Sequence, residues 1–144
     1  MSPAQHGHRT QAERLRAAGL RVTVSRIAVL DVLDDDGHPT VDQVLAAVRQ
    51  RLGAVSQQAV YGILHDLEAA GMVQRIEPTG HPARYETRVG DNHHHLVCRG
   101  CGRVTDVDCS AGRAPCLTPA RDAGYLVETA DVTYWGLCPG CRDC

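Results

Sequence analysis

Apolar residues in the first half of the chain recur at the i, i+3, i+4, i+7 spacing of amphipathic helices. Val41, Val44, Leu45, Val48 and Leu52 form one stripe, and Val60, Ile63, Leu64 and Leu67 form a second. Each stripe is bracketed by start and stop signals: Thr40 with Gln43 is a capping box ahead of the first, Gly53 ends it, Ser56 caps the second, and Gly71 stops it. Two helices are expected upstream. Thr10 with Glu13 opens one that ends near Gly19, and Ile27, Leu30 and Leu33 mark another from about Thr23 to Asp34-Asp35-Asp36 and Gly37. The period then shortens. Val73 to Glu77 and Ala83 to Thr87 flank Pro78-Thr79-Gly80-His81-Pro82, which predicts two strands joined by a turn. Beyond Val89, Leu96, Val97 and Val104 to Asp108 predict strands, Leu117 to Ala123 a short helix, and Tyr125 to Tyr134 two more strands. The pattern is α+β: helices and a hairpin over residues 1–88, a hinge at 89–92 adjoining Arg88, and a small α/β domain over 93–144.

Helices followed by a hairpin with basic residues predict a winged helix-turn-helix, with Ser56 to Ala70 as the helix that enters the DNA major groove. Gln57 and Gln58 bring amides suited to base edges, and Tyr61 a hydroxyl and a ring face for thymine methyls. Arg21, Arg26 and the hairpin arginines are the expected phosphate contacts, and Ser56 stands at the start of the reading helix. The net charge of −2 speaks against a strongly basic binder. Its distribution changes that picture. Residues 1 to 30 carry Arg9, Arg14, Arg16, Arg21 and Arg26 against Glu13 alone, whereas acids gather at 34–36 and in the last third. A solvated polar face is the plainer account of the same residues.

With 144 residues and 43% hydrophobic content the chain can bury a core. It has no run of about 18 apolar residues to span a bilayer and no secretory signal, so a cytoplasmic protein is expected. There, seven cysteines favour metal ligation over disulfides. Cys98/Cys101 and Cys138/Cys141 are CxxC pairs with glycines in their turns, and together they would make a closed four-thiolate zinc site of structural type. The 36 residues between the pairs exceed the common ribbon spacing, so two unconnected thiol pairs or a redox CxxC remain alternatives. Cys109, Cys116 and Cys144 have no evident partner. On a strand, His93 and His95 would share one face and His94 the other. With oxygen from Asp106 and Glu86 and nitrogen from His38, they would form a set suited to Fe(II), Mn(II) or Zn(II).

The ordered motifs GLRVT-x-x-R (Gly19 to Arg26), HPT (His38 to Thr40), S-x-x-x-VY-x-x-L ending in AAG (Ser56 to Gly71), RYE (Arg84 to Glu86), HHHLVCRGCG (His93 to Gly102) and CPGC (Cys138 to Cys141) resemble the ferric uptake regulator family over nearly the whole chain. The resemblance implies a homodimeric, metal-activated repressor whose winged-helix domain is hinged to a dimerisation domain. It implies structural zinc on Cys98, Cys101, Cys138 and Cys141, and a regulatory metal on His38, Glu86, His93, His95 and Asp106. Asp106 and the run TRVGDNHHHLVC resemble the peroxide-responsive branch, especially actinobacterial repressors of catalase-peroxidase, which implies control of that gene and of the regulator's own. In that branch bound Fe(II) reacts with peroxide and a ligand histidine is oxidised, here His38 or His93, whereas Mn(II) occupies the site without that chemistry. Two departures stand out: Gly62 replaces the usual arginine after the helix tyrosine, and Ala59 the usual threonine. A third family site lacks its histidine, since Glu128 to Leu137 contains none.

The expectation is a palindrome-binding repressor, neither an enzyme nor a small-molecule binder, that senses peroxide through iron. An iron- or zinc-uptake repressor of the same family is the alternative. From other classes, a zinc hydrolase would want an open metal position beside a general base, and a thiol oxidoreductase a metal-free CxxC.

Overall fold

The computed structural model describes residues 9–108 and 119–143. It contains α1 (Gln11–Ala17), α2 (Val24–Asp36), α3 (Val41–Leu52), α4 (Gln57–Ala69), β1 (Gln74–Ile76), β2 (Arg84–Glu86), β3 (His94–Cys98), β4 (Val104–Val107), β5 (Thr133–Gly136) and α5 (Pro139–Arg142). Contacts divide the chain into two units: residues up to Glu77 with Pro82–Val89, and Pro78–His81 with residues from Gly90 onward. Among the described residues no helix is long and apolar enough to cross a membrane.

In the first unit the helix starts follow from their caps. The Thr10 hydroxyl accepts the Glu13 N–H at 3.2 Å while the Glu13 carboxylate accepts the Thr10 N–H at 3.3 Å. Thr40 and Gln43 repeat the exchange at 3.3 and 2.9 Å. Thr23 accepts from Arg26, and Ser56 from Ala59, so orphan N–H groups of all four helices are satisfied. The apolar stripes meet in one core in which Leu15, Leu30, Leu33, Val44, Val48, Val60, Leu64 and Leu67 are buried. After α4, Gly71 takes a φ of 72° and turns the chain into the hairpin. β1 and β2 are antiparallel, with Arg75 opposite Tyr85. β2 is also fixed on its other side: the Tyr85 N–H donates to the Pro39 carbonyl at 3.0 Å, and the Arg84 guanidinium to the His38 carbonyl at 2.8 Å. Tyr85 joins the core, and its burial pushes the phenol pKa up.

The second unit is built on a three-stranded sheet in the order β4-β3-β5. β3 pairs antiparallel with β4, His95 opposite Asp106, and parallel with β5, Cys98 opposite Gly136. Its apolar interior is small; Val97, Cys98 and Val104 are the buried hydrophobic residues described there, alongside the buried imidazoles of His93, His94 and His95. Two expectations change here. Instead of two strands over Tyr125 to Tyr134, one strand begins at Thr133, and residues 125–132 are irregular. Of the helix expected over Leu117 to Ala123, Leu117 and Thr118 lie outside the described residues, and 119–123 are not helical. Among the described residues, regular pairing begins only at Thr133, and the apolar side chains of Tyr125 and Leu126 stay 77% and 86% exposed. The short α5 at the second CxxC pair was not foreseen.

Two substitutions in α4 separate packing from propensity. Leu64→Ala removes a buried side chain and is expected to lower stability by about 2–5 kcal/mol. Gly62→Ala is expected to raise it by about 0.5–1 kcal/mol, since a Cβ there meets no atom within 4 Å. Denaturant unfolding followed by circular dichroism measures both.

Candidate metal centres and nucleic-acid face

The four CxxC thiols gather in the second unit. The Sγ atoms of Cys98, Cys101, Cys138 and Cys141 lie within 4.8 Å of one another, Cys101 and Cys138 at 3.8 Å. Strand pairing explains the gathering. Cys98 sits opposite Gly136 in the parallel ladder, so Cys138, two residues on, falls beside it despite the long separation in sequence. Each pair is folded into a knuckle by backbone bonds: Gly102 N–H to Cys98 O at 2.9 Å, and Cys141 N–H to Cys138 O at 3.0 Å. Gly100 keeps its turn close to the cluster: a Cβ there would lie 3.0 Å from the Cys141 sulfur and crowd it. The Cys138 N–H points at the Cys98 sulfur at 3.3 Å and, with further backbone N–H groups, lowers the Cys98 pKa to about 6. Cys141, crowded first by Cys138 and then by Cys98 and Cys101, is pushed up to about 12. Four soft donors in mutual contact, one already favouring thiolate, fit a tetrahedral zinc ion with no position left open. All four are thiols without a disulfide.

A second set of donors stands at the other end of β3. The Nε2 atoms of His93 and His95 lie 3.4 and 3.3 Å from the same oxygen of Asp106, with the two rings 4.8 Å apart at 74°. The ladder sets this up by placing Asp106 directly across from His95. Two nitrogens and a carboxylate oxygen converging on one point, the histidines buried and Asp106 half-buried, fit a borderline or hard divalent cation. Asp91, not singled out in the sequence, holds His93 from behind, its Oδ1 2.7 Å from Nδ1. The signal was present as an acid two residues before the first histidine. In the first unit, the pinned β2 edge puts His38 Nε2 2.9 Å from Glu86 Oε2, with Glu86 buried. Cys109, Cys116 and Cys144 lie outside the described residues.

On α4, Gln57, Gln58, Tyr61 and His65 are exposed along one face, and Ser56 is exposed at its cap. Ala59 and Gly62 lie on the same exposed face, and nothing in the packing around Gly62 calls for glycine. Arg21 is exposed. Arg26 is engaged within the fold: its guanidinium donates to the Arg21 carbonyl at 2.8 Å and to Asp66 of α4 at 3.0 Å, tying α2 to α4. Among the hairpin arginines, Arg75 pairs with Glu77 at 2.6 Å and Arg84 turns inward to His38.

Residues 17–134 match the family model described as the ferric uptake regulator family. The chain belongs to that family. Its members are metal-dependent, DNA-binding transcription regulators. This regulator is 55% identical to the transcriptional regulator FurA of Mycobacterium tuberculosis over 130 residues, covering 90% of this chain and 88% of that one. It is 54% identical to ferric uptake regulation protein 1 of Mycolicibacterium fortuitum over 129 residues, 90% of this chain and 80% of that protein. Among solved structures, the ferric uptake regulator of Pseudomonas aeruginosa with manganese superposes with a TM-score of 0.71 at 29% identity, covering 91% and 99% of the two chains. That of Helicobacter pylori, described as having three functional metal-binding sites, shares the fold at a TM-score of 0.75 and 22% identity, covering 90% and 87%. The relatives are named as regulators, as expected of a protein that is not an enzyme.

For this ferric uptake regulator homologue, Cys101→Ser is expected to drop zinc from stoichiometric to trace levels and to unfold the second unit at lower temperature, because that unit has little apolar interior besides. Elemental analysis after dialysis against a chelator, with thermal unfolding alongside, checks both.

Proposed function

We propose that this regulator is a cytoplasmic, homodimeric repressor that senses peroxide through bound Fe(II). In this reading Cys98, Cys101, Cys138 and Cys141 hold structural zinc, and His38, Glu86, His93, His95 and Asp106 hold the regulatory metal. The carrying observation is the convergence of two imidazole nitrogens on one Asp106 oxygen, a nitrogen and oxygen donor set separate from the all-thiolate cluster. Such donors suit Fe(II) and Mn(II) and leave iron able to react, which a closed thiolate shell does not. Further support comes from the likeness of Thr87 to Cys98 to the peroxide-responsive branch.

The donors His38 and Glu86 belong to the DNA-reading unit and the other three to the second unit. Recruiting both sets to one cation favours a single arrangement of the reading helices over the alternatives, and DNA and metal then strengthen each other's binding by the same factor. Iron held by these residues would supply one electron to peroxide beside the ligand imidazoles, and the oxidising equivalent left over would fall on His38 or His93, removing a donor. The two donor sets would then no longer be held to one cation, and the operator, a palindrome spanning successive turns, would be released. Leu96 and Tyr134, neighbours across β3 and β5 and each about half exposed, with exposed Leu137 beside them, offer the apolar face on which a second copy closes. Reporting of iron abundance is the second reading, favoured by the relatives' name of ferric uptake regulation protein.

DNA from upstream of the regulator's own gene, titrated with the Fe(II) and the Mn(II) forms before and after a low dose of peroxide, distinguishes the two. Loss of binding confined to the iron form is expected; equal retention in both forms assigns the protein to iron reporting. His93→Ala with His95→Ala is expected to abolish metal-dependent binding at unchanged zinc content. On the DNA side, Arg21→Ala is expected to weaken binding to all sequences alike and to reduce the salt slope by about 1. Gln57→Ala instead relaxes base preference by about 1–3 kcal/mol at one position, read by competition with substituted operators.

A further inference from the structure

We propose that Asp91 is a positioning residue for the regulatory metal: its carboxylate fixes the His93 ring so that Nε2, rather than Nδ1, is the ligating nitrogen. The inference rests on His93 being a ligand, as proposed above.

His95 and His93 are held in different ways. His95 lies inside the β3 ladder, registered opposite Asp106, so the backbone sets its direction. His93 stands one residue before β3 and outside that register. Its side chain is 1% exposed, and both ring nitrogens are accounted for by acids: Nδ1 lies 2.7 Å from Asp91 Oδ1, and Nε2 lies 3.4 Å from Asp106 Oδ1. The two contacts are unequal. At 2.7 Å the Asp91 contact is a short, charge-assisted hydrogen bond, whereas 3.4 Å leaves room for an ion to draw both atoms in. An ionised carboxylate can only accept, so Nδ1 carries the hydrogen and donates it. A neutral imidazole protonated at Nδ1 has its lone pair on Nε2, which points toward Asp106 and His95. Without the acceptor, a neutral histidine favours its hydrogen on Nε2, the atom that must be bare to bind a metal. Asp91 therefore selects the tautomer and the ring orientation together, the role of an outer carboxylate on a metal-bound imidazole. The Asp91 side chain is 45% exposed, so its field is screened and its main effect is directional.

Mn(II) affinity of the zinc-loaded, full-length protein, measured from the electron paramagnetic resonance signal of free Mn(II), tests this with Asp91→Ala, Asp91→Asn and His95→Ala. Asp91→Ala is expected to bind Mn(II) about 10- to 100-fold more weakly. Asp91→Asn is expected to recover part of that loss, because the amide oxygen still accepts the Nδ1 hydrogen. Before metal is added, ¹⁵N-histidine spectra are expected to show His93 protonated at Nδ1 in the parent and shifted toward Nε2 in Asp91→Ala. Zinc content and unfolding temperature are expected to stay at parental values, since the carboxylate is at the surface. Parental Mn(II) affinity in Asp91→Ala, or an unchanged His93 tautomer, overturns the inference while loss of binding in His95→Ala keeps the metal site. Equal weakening in the alanine and asparagine variants also overturns it, by making charge the cause. Parental binding in His95→Ala instead brings down the site reading itself.

Discussion

The register of β3 is the constraint on which both candidate centres depend. This strand carries His94 and His95 at its start and Cys98 at its end, and it is paired on both edges. The antiparallel edge sets His95 across from Asp106, and the parallel edge sets Cys98 across from Gly136 and so brings Cys138 within reach. A slip of one residue would turn His95 away from Asp106 and take Cys98 out of the cluster at the same time. Four thiolates closing on one ion would resist such a slip, because the end of β3 is anchored to Gly136 and to Cys138, two residues past β5. With zinc bound, the thiol cluster would thus support the His–Asp donor set indirectly, by holding the strand that aims the histidines.

Sharing one strand does not mix the two chemistries. His95 and Cys98 are three residues apart and leave the strand on opposite faces. One face carries the nitrogen and oxygen donors, and the thiols gather at the end of the other, beyond His94 and Leu96. Donor softness then sorts the metals: zinc gains most from the closed thiolate shell, while Fe(II) and Mn(II) are better matched by imidazole and carboxylate. A regulatory ion must exchange, and a structural one must not. Separate donor sets on a common strand let those opposed demands coexist within five residues.

Local signals were legible in the sequence, and contacts distant along the chain were not. The capping boxes at Thr10 and Thr40, the stripes of α3 and α4, and the hairpin around Gly80 are written within a few residues of one another, and each element formed close to where it was expected. The CxxC spacing announced thiolate ligation, but the joining of the two pairs needed the parallel β3 and β5 pairing, which no local pattern encodes. Residues 125–132 show the opposite error. Their apolar content resembled strands, yet strand propensity has effect only where a partner edge exists. The pairing of Arg26 with Asp66, 40 residues away, was likewise beyond any local pattern.

That use of Arg26 bears on how a metal can govern DNA binding at all. A strongly basic reading head would hold DNA through phosphate attraction whatever the metal did, since counterion release is indifferent to sequence and to fine geometry. Here the whole chain has a net charge of −2, Arg26 pairs with Asp66 and Arg75 with Glu77, Arg21 is exposed, and Gly62 adds no charge to α4. What remains on α4 is an uncharged face of Gln57, Gln58 and Tyr61, which gains little unless it is seated against base edges. In the reading proposed above, such a face would make the fit of two α4 helices to one operator weigh more in the affinity. A few kcal/mol of metal-linked ordering is then a large share of the total, which is the condition for a usable switch.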